Sequence, residues 1–277
     1  MSVVAMLQGT EAADRGTLRT ALAIGRKMNV GVTGLFALPD PDSAFMIVGT
    51  PEGAGLTAQA SQSIIDMQAE MKRTAEAVFA EVIGNDDHGV QSAFLHEVNL
   101  VERAAANAAT LAEAVVFPRS SANATAPLYI AFEHVLMDAR LPLVLAGSGD
   151  PAPGPAVIAW DGSNGAARAV RFHLPLIRAI GDVIIAQNRK DLGRDTARPV
   201  AEPDTLARWL KRYNVTTSDA AIEEDVGAGL LALAQGSGAS MIVAGAYGHS
   251  RLGERLFGGT TRTLLAADTA PALALSH

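Results

Sequence analysis

The run Met241-Ile242-Val243-Ala244 stops at Gly245, and the glycine spacing beyond it narrows the folds open to this chain. Gly248 comes after two intervening residues and Gly258 after nine more; Gly259, Thr260 and Thr261 then lead into an apolar segment with helical spacing. A short apolar run closed by glycine reads as a buried strand, the glycine-bracketed stretch as a loop, and the threonines as a helix start. Glycine lets the main chain take positive φ and lets a ligand approach it closely. The free amides and positive dipole end of a helix favour an anion, most often phosphate. Strand, loop and phosphate-ready helix in this order belong to an α/β protein.

The remainder of the 277 residues repeats that logic. Ser2–Leu7 and Val30–Leu38 read as strands around a helix over Asp14–Met28, a β-α-β unit of a parallel sheet. A long helix comes next, from about Leu56 to Ile83, with Ile64, Met67, Met71, Ala75, Val78, Phe79 and Val82 as its core stripe. Strands near Gln91–His96, Glu113–Phe117 and Pro142–Ala146 alternate with helices over Leu100–Ala109 and Leu128–Ala139. Gly147–Gly154 is rich in Gly, Ser and Pro without apolar period and reads as a linker. The pattern then restarts: strand Ala156–Trp160, a helix over Gly165–Ile180 kinked at Pro175, and strand Val183–Ala186. A helix over Asp204–Tyr213, a weak strand near Val215–Ala221, a helix over Gly227–Gln235, and finally Met241–Ala244 and Pro271–Leu275 complete it. Both halves end in a similar strand after an amphipathic helix, Leu141–Leu145 and Ala270–Leu275. That points to duplication of a whole domain, residues 1–147 and 154–277.

Composition removes several classes of function. The chain is 49% hydrophobic and 18% charged, which suits a large packed core. Its net charge of −7 and scattered Lys and Arg give no footprint for nucleic acid. With no cysteine, disulfides, thiolate catalysis and zinc–thiolate sites are excluded. The N-terminus lacks the basic and apolar regions of a signal peptide, and no apolar run reaches membrane-spanning length, so a cytoplasmic location is expected. The six histidines are dispersed and read mostly as surface residues, with no metal-binding cluster among them.

No P-loop and no G-x-S-x-G elbow is present. Gly53-Ala54-Gly55-Leu56-Thr57-Ala58 fits G-x-G-x-x-A, but a long helix continues where a dinucleotide site needs a second strand bearing an acid. The C-terminal half holds the better constellation. Asp161-Gly162-Ser163 lies at the carboxyl end of its first strand, and Gly245 and Gly248 lie at the end of its fourth. In a doubly wound sheet such ends flank one crevice. Asp161 can accept from a ribose hydroxyl or a base amino group, although alone it reads equally well as a helix N-cap. Loop amides and Thr260 can take phosphates, with Ser250 or Arg251 as further donors.

The spacing Gly245, Gly248, Gly258, with GAYGHSR in the loop, together with the strand-end acid in IAWDGS and the βαβ order of both halves, resembles the universal stress protein family. The resemblance covers essentially the whole chain, as a tandem two-domain member. It implies two adenine-nucleotide-hydrolase-like (Rossmann-like) α/β domains, each a five-stranded, mostly parallel sheet flanked by helices. It also implies pairing of the halves through their last strands, Pro142–Ala146 and Pro271–Leu275, and further association into a homodimer. ATP or another adenine nucleotide, accompanied by Mg2+, is the implied ligand; stress-linked regulation through a protein partner, rather than turnover, is the implied role. Carried over residue by residue, Asp161, Gly162 and Ser163 meet the adenosine part and the main chain near Gln187 touches adenine. Gly245, Gly248, His249, Ser250, Arg251, Gly258, Gly259 and Thr260 surround the phosphates.

Two departures stand out. The family pattern ends in G-[ST], whereas here Gly259 comes after Gly258 and the hydroxyl arrives one residue later, at Thr260. In the N-terminal half the loop after the fourth strand reads Val116-Phe117-Pro118-Arg119-Ser120-Ser121, without glycine, and the first strand ends Leu7-Gln8-Gly9-Thr10, without aspartate. That half is expected to bind no nucleotide. The alternatives are a nucleotide-free interaction module, in which both sites have decayed, and a slow ATP-hydrolysing enzyme; no converging acid–base pair supports more than slow hydrolysis.

Overall fold

The computed structural model describes residues 2–40, 54–86, 89–188, 202–223, 225–246, 259–267 and 269–277. Among them the strands are β1 (Ser2–Leu7), β2 (Gly31–Leu38), β3 (Ser92–Val98), β4 (Ala114–Phe117), β5 (Leu143–Leu145), β6 (Ala156–Ala159), β7 (Asp182–Gln187), β8 (Thr216–Ala221), β9 (Met241–Gly245) and β10 (Ala272–Ser276). The helices are α1 (Glu11–Met28), α2 (Ala54–Gly84), α3 (Val101–Ala109), α4 (Tyr129–Glu133), α5 (Asn164–Phe172), α6 (Leu174–Ile180), α7 (Pro203–Lys211), α8 (Val226–Gly236) and α9 (Gly259–Ala266).

The strands form one sheet in the order β3-β2-β1-β4-β5-β10-β9-β6-β7-β8. Renumbering each half from its own first strand makes the order a palindrome, 3-2-1-4-5 against 5-4-1-2-3. Every neighbouring pair is parallel except β5 and β10, which run antiparallel with Leu143 opposite Leu275, Val144 opposite Ala274 and Leu145 opposite Leu273. The expected α/β class is therefore found, as is the pairing of last strands. Central strands buried on both faces read as continuous apolar runs: Val3–Leu7, Ala114–Phe117, Leu143–Leu145 and Met241–Ala244 are buried throughout. Helices cover both faces, giving two core layers, one including Phe36 and Ile158 and the other Phe117, Phe132 and Leu273.

Three elements differ from expectation. The helix expected over Gly165–Ile180 is broken rather than kinked. α5 ends at Phe172, and α6 starts at Leu174 with Pro175 in its first turn, where a missing N–H costs no hydrogen bond. The helix expected over Leu128–Ala139 is α4 followed by a wide π turn at His134–Asp138. In α2 the stripe holds only near its C-terminal end: Ala75, Val78 and Val82 are buried, but Met67 is 56% exposed. A helix of 31 residues is about 46 Å long, against about 26 Å for the eight residues of β2 beneath it, so it runs on past the core.

The linker is packed at both ends. Ser148 N–H donates to the Ala270 carbonyl at 3.0 Å, and Ala270 N–H donates to Ser148 Oγ at 2.7 Å. At the other end, Ser240 N–H donates to the Pro155 carbonyl at 2.9 Å. Gly154 lies so close to the turn after α8 that a β-carbon there would sit 1.9 Å from the Gly238 carbonyl oxygen. Gly154→Ala is therefore expected to lower the unfolding free energy by about 2 kcal/mol. Gly149→Ala, with nothing within 4 Å of the new carbon, should be neutral. Urea denaturation of the two variants tests this, and equal midpoints would show that the linker's packing is dispensable.

Candidate functional site

The order β10-β9-β6-β7-β8 places the C-terminal half's switch point between β6 and β9, because the chain leaves β6 toward β7 on one side and leaves β9 toward β10 on the other. The carboxyl ends of these two strands bound the crevice that such a sheet offers to ligands. Asp161, two residues beyond β6, is exposed. Its Oδ1 accepts the Ser163 N–H at 2.9 Å, which fixes the carboxylate over the loop, and Gly162 carries the turn at φ +72°. Ser163, not Asp161, is the N-cap of α5, its Oγ accepting the Ala166 N–H at 3.1 Å. The N-cap reading of Asp161 is thereby set aside: among the described residues its Oδ2 has no partner.

Gly245 closes β9 against the first turn of α5. A β-carbon on it would lie 2.8 Å from the Gly165 carbonyl carbon and 3.1 Å from the Ala166 nitrogen. Glycine here lets the two rims of the switch point meet backbone to backbone. Further along the chain, α9 begins at Gly259, whose β-carbon position faces open space. Thr260 is half-buried, and Thr261 points into the core with 5% exposure. Gly248, His249, Ser250, Arg251 and Gly258 lie outside the described residues, as does Gly53 of the G-x-G-x-x-A match, whose remaining residues fall in α2.

Gln187 ends β7, next to β6. Its carbonyl accepts the Ile222 N–H at 2.9 Å, so the main chain there is engaged within the sheet. Its side chain is buried and, among the described residues, Nε2 has no hydrogen-bond partner. An unmade hydrogen bond at a buried donor costs about 1–3 kcal/mol. Ser276 Oγ, buried opposite Gly245 in the β9–β10 register, likewise has no partner among the described residues. Ser276 carries no signal in the sequence beyond a hydroxyl at the end of an apolar run.

The equivalent loop of the N-terminal half is closed. Gly9 has φ +77°, matching Gly162, but the acid sits inside the helix rather than on the loop. Asp14, fully buried, accepts the Gln8 and Gly9 N–H groups on its two oxygens, each at 2.9 Å. Helix α2 lies directly on the loop, and a β-carbon on Gly9 would be 2.5 Å from Met71 Cβ. The next loop sends Arg119 to the other half, where Nη2 donates to the Leu264 carbonyl in the last turn of α9. Burial lowers the pKa of that guanidinium.

Two buried ionisable groups flank these loops with opposite signs. Burial raises the Asp14 carboxyl from 3.8 to about 6, against the lowering effect of the Gln8, Gly9 and Thr10 amides. His173, expected at the surface, is buried in the break between α5 and α6 and makes a 3.0 Å hydrogen bond through Nε2 to the Leu275 carbonyl. Burial lowers its pKa to about 4, although that hydrogen bond raises it. Among the described residues no group of three or more His, Asp or Glu side chains is placed to hold a metal, and no helix is long and apolar enough to cross a membrane.

No protein-family model and no curated protein sequence matches the chain. Among solved structures, a universal stress protein from Archaeoglobus fulgidus DSM 4304 superposes with a TM-score of 0.57 at 12% identity, over 99% of this chain and 97% of that one. At that identity the likeness establishes the fold, here over the full length of both chains.

Removing the Ser163 cap by Ser163→Ala is expected to cost about 1 kcal/mol of stability, whereas Asp161→Ala, at an exposed loop position, should cost clearly less. Thermal unfolding of the two variants measures the difference, and the reverse ranking would make Asp161 the structural residue. The pH dependence is set by linkage. His173 withdraws stability as pH falls from about 6.5 toward 4, because the unfolded chain binds its proton more readily. Asp14 adds stability as pH falls from about 6 toward 4, because the folded chain holds its proton more tightly. The drop in urea midpoint between about pH 7 and about pH 5 should therefore be smaller in His173→Gln than in the wild type, and larger in Asp14→Asn. Three equal drops would show that neither group titrates as described.

Proposed function

We propose that the chain is a nucleotide-binding regulatory protein of universal stress type, with one adenine-nucleotide site in the crevice between β6 and β9. The carrying observation is the pair of rims at that switch point: Asp161 presents a fixed carboxylate with a spare oxygen, and Gly245 brings the end of β9 onto the first turn of α5. The carboxylate suits the hydroxyls of a ribose, and the amides at the start of α9, with Thr260, suit phosphate. The orphaned Nε2 of Gln187 fits an adenine ring nitrogen. This moves the expected adenine contact from the main chain near Gln187 to its side chain. Gly248, His249, Ser250, Arg251 and Gly258 remain part of the assignment on the glycine spacing alone, and any Mg2+ would arrive with the phosphates.

The closed loop of the N-terminal half supports a single site. There the amides that would greet a ligand are spent on Asp14, and α2 occupies the approach.

Calorimetric titration with Mg-ATP, ADP and AMP tests the reading, with an expected stoichiometry of one per chain. Asp161→Ala should weaken binding about tenfold, equivalent to about 1.4 kcal/mol. Gly259→Ser returns a hydroxyl to the place the family pattern gives it. The β-carbon meets no neighbour, so tighter ATP binding without loss of stability is expected. No heat with any of the three nucleotides at millimolar concentration would overturn the proposal.

A further inference from the structure

A cavity of about 520 Å³ lies at the seam between the halves, roofed by the linker. α1 forms one wall, α6 and the C-terminal end of α8 another, and the amino ends of β9 and β10 the floor. It therefore lies at the opposite end of β9 from the nucleotide crevice, about 16 Å away by strand length. Its size is that of small-molecule sites, commonly about 300–1,000 Å³. Its lining is mainly apolar, with Ile24, Leu176, Ile180 and Met241 among the contributors.

Interiors are normally close-packed, and the linker explains why this space stays open. Its two ends are fixed by the Ser148–Ala270 hydrogen bonds and by the contact of Gly154 with Gly238, so its middle spans the gap instead of settling into it. Asp150, in that middle, is paired with Arg19 at 2.6 Å.

The polar groups around the cavity are mostly committed. Thr20 Oγ1 donates to the Gly16 carbonyl, Ser240 Oγ to the Pro155 carbonyl and Gln235 Nε2 to Thr269, while Arg26 is paired with Asp86. Lys27 is different. It stands exposed at the rim, and its one contact among the described residues is with the Pro153 carbonyl at 3.4 Å, which leaves ammonium protons to spare. From an apolar chamber whose mouth carries, among the described residues, one uncommitted cation, we infer that the seam cavity binds a small amphipathic anion, an alkyl or fused-ring body bearing a single carboxylate or sulfonate. The body replaces water against the apolar walls, and the head meets Lys27.

The test uses the full chain and two probes, the anionic 8-anilinonaphthalene-1-sulfonate and the neutral dye Nile red, followed by fluorescence and calorimetry. Saturable binding of one sulfonate per chain is expected. Lys27→Met should weaken the sulfonate about tenfold and leave Nile red unchanged. Ala23→Trp, from the α1 wall, or Ala152→Trp, from the linker, should abolish binding of both dyes while circular dichroism and the thermal midpoint stay as in the wild type. Asp161→Ala and added Mg-ATP should change neither dye's affinity, which separates this site from the nucleotide crevice. Full sulfonate affinity in Lys27→Met, retained binding in both tryptophan variants, or displacement by Mg-ATP would each overturn the inference.

Discussion

The short antiparallel pairing of β5 with β10 joins two five-stranded halves into one sheet. All residues of the seam strands are buried, Leu143–Leu145 on one side and Ala272–Ser276 on the other. Two parallel sheets ending in apolar strands could not leave those edges in water, since an exposed row of unpaired amides and carbonyls is a template for uncontrolled association. Pairing them within the chain removes both edges at once. It also fixes polarity: because the seam is antiparallel, the carboxyl ends of β1–β5 and of β6–β10 point to opposite ends of the molecule. Each half's switch point consequently opens on its own end.

The two switch points share a backbone and differ in where their acid stands. Gln8-Gly9-Thr10 and Asp161-Gly162-Ser163 come after equivalent strands, with glycine at nearly the same positive φ. In the first, the carboxylate is buried in the helix and binds the loop amides inward, at a cost in desolvation that appears as the raised pKa of Asp14. In the second, the carboxylate is on the loop itself and faces outward. α2 adds to the closure of the first loop, because its backbone lies against Gly9. An acid placed six residues further along the chain and one long helix distinguish the first loop from the second.

Much of this could be read before the structure. Buried parallel strands announce themselves as apolar runs such as Met241–Ala244, and the glycines that end them mark where the main chain must turn or approach something closely. The features that escaped reading depend on distance across the fold. Helical periodicity shows that α2 is a helix but not where the sheet beneath it stops, so Met67 looks like core and is exposed. A single histidine between Phe172 and Leu174 does not by itself tell that a helix break before Pro175 will bury it, as it does His173. The linker's composition reports that it lacks regular structure, yet its role in holding a cavity open rests on Gly154 meeting Gly238, two residues with no pattern in common. Gln187 and Ser276 look like ordinary strand ends until the hydrogen bonds around them are counted.

Arg119 connects these features physically. It stands just after β4 in the half whose loop is closed, and it reaches a carbonyl in the final turn of α9 in the other half. A cation there meets the negative end of the helix dipole and takes up one of the carbonyls a helix leaves unsatisfied. α9 is only eight residues long, too short to be stable without tertiary support. Its first residues, Gly259 and Thr260, are the described part of the rim proposed to face phosphate. The glycine-free loop after β4 thus steadies, through a single guanidinium, a helix beside the proposed crevice of the other half.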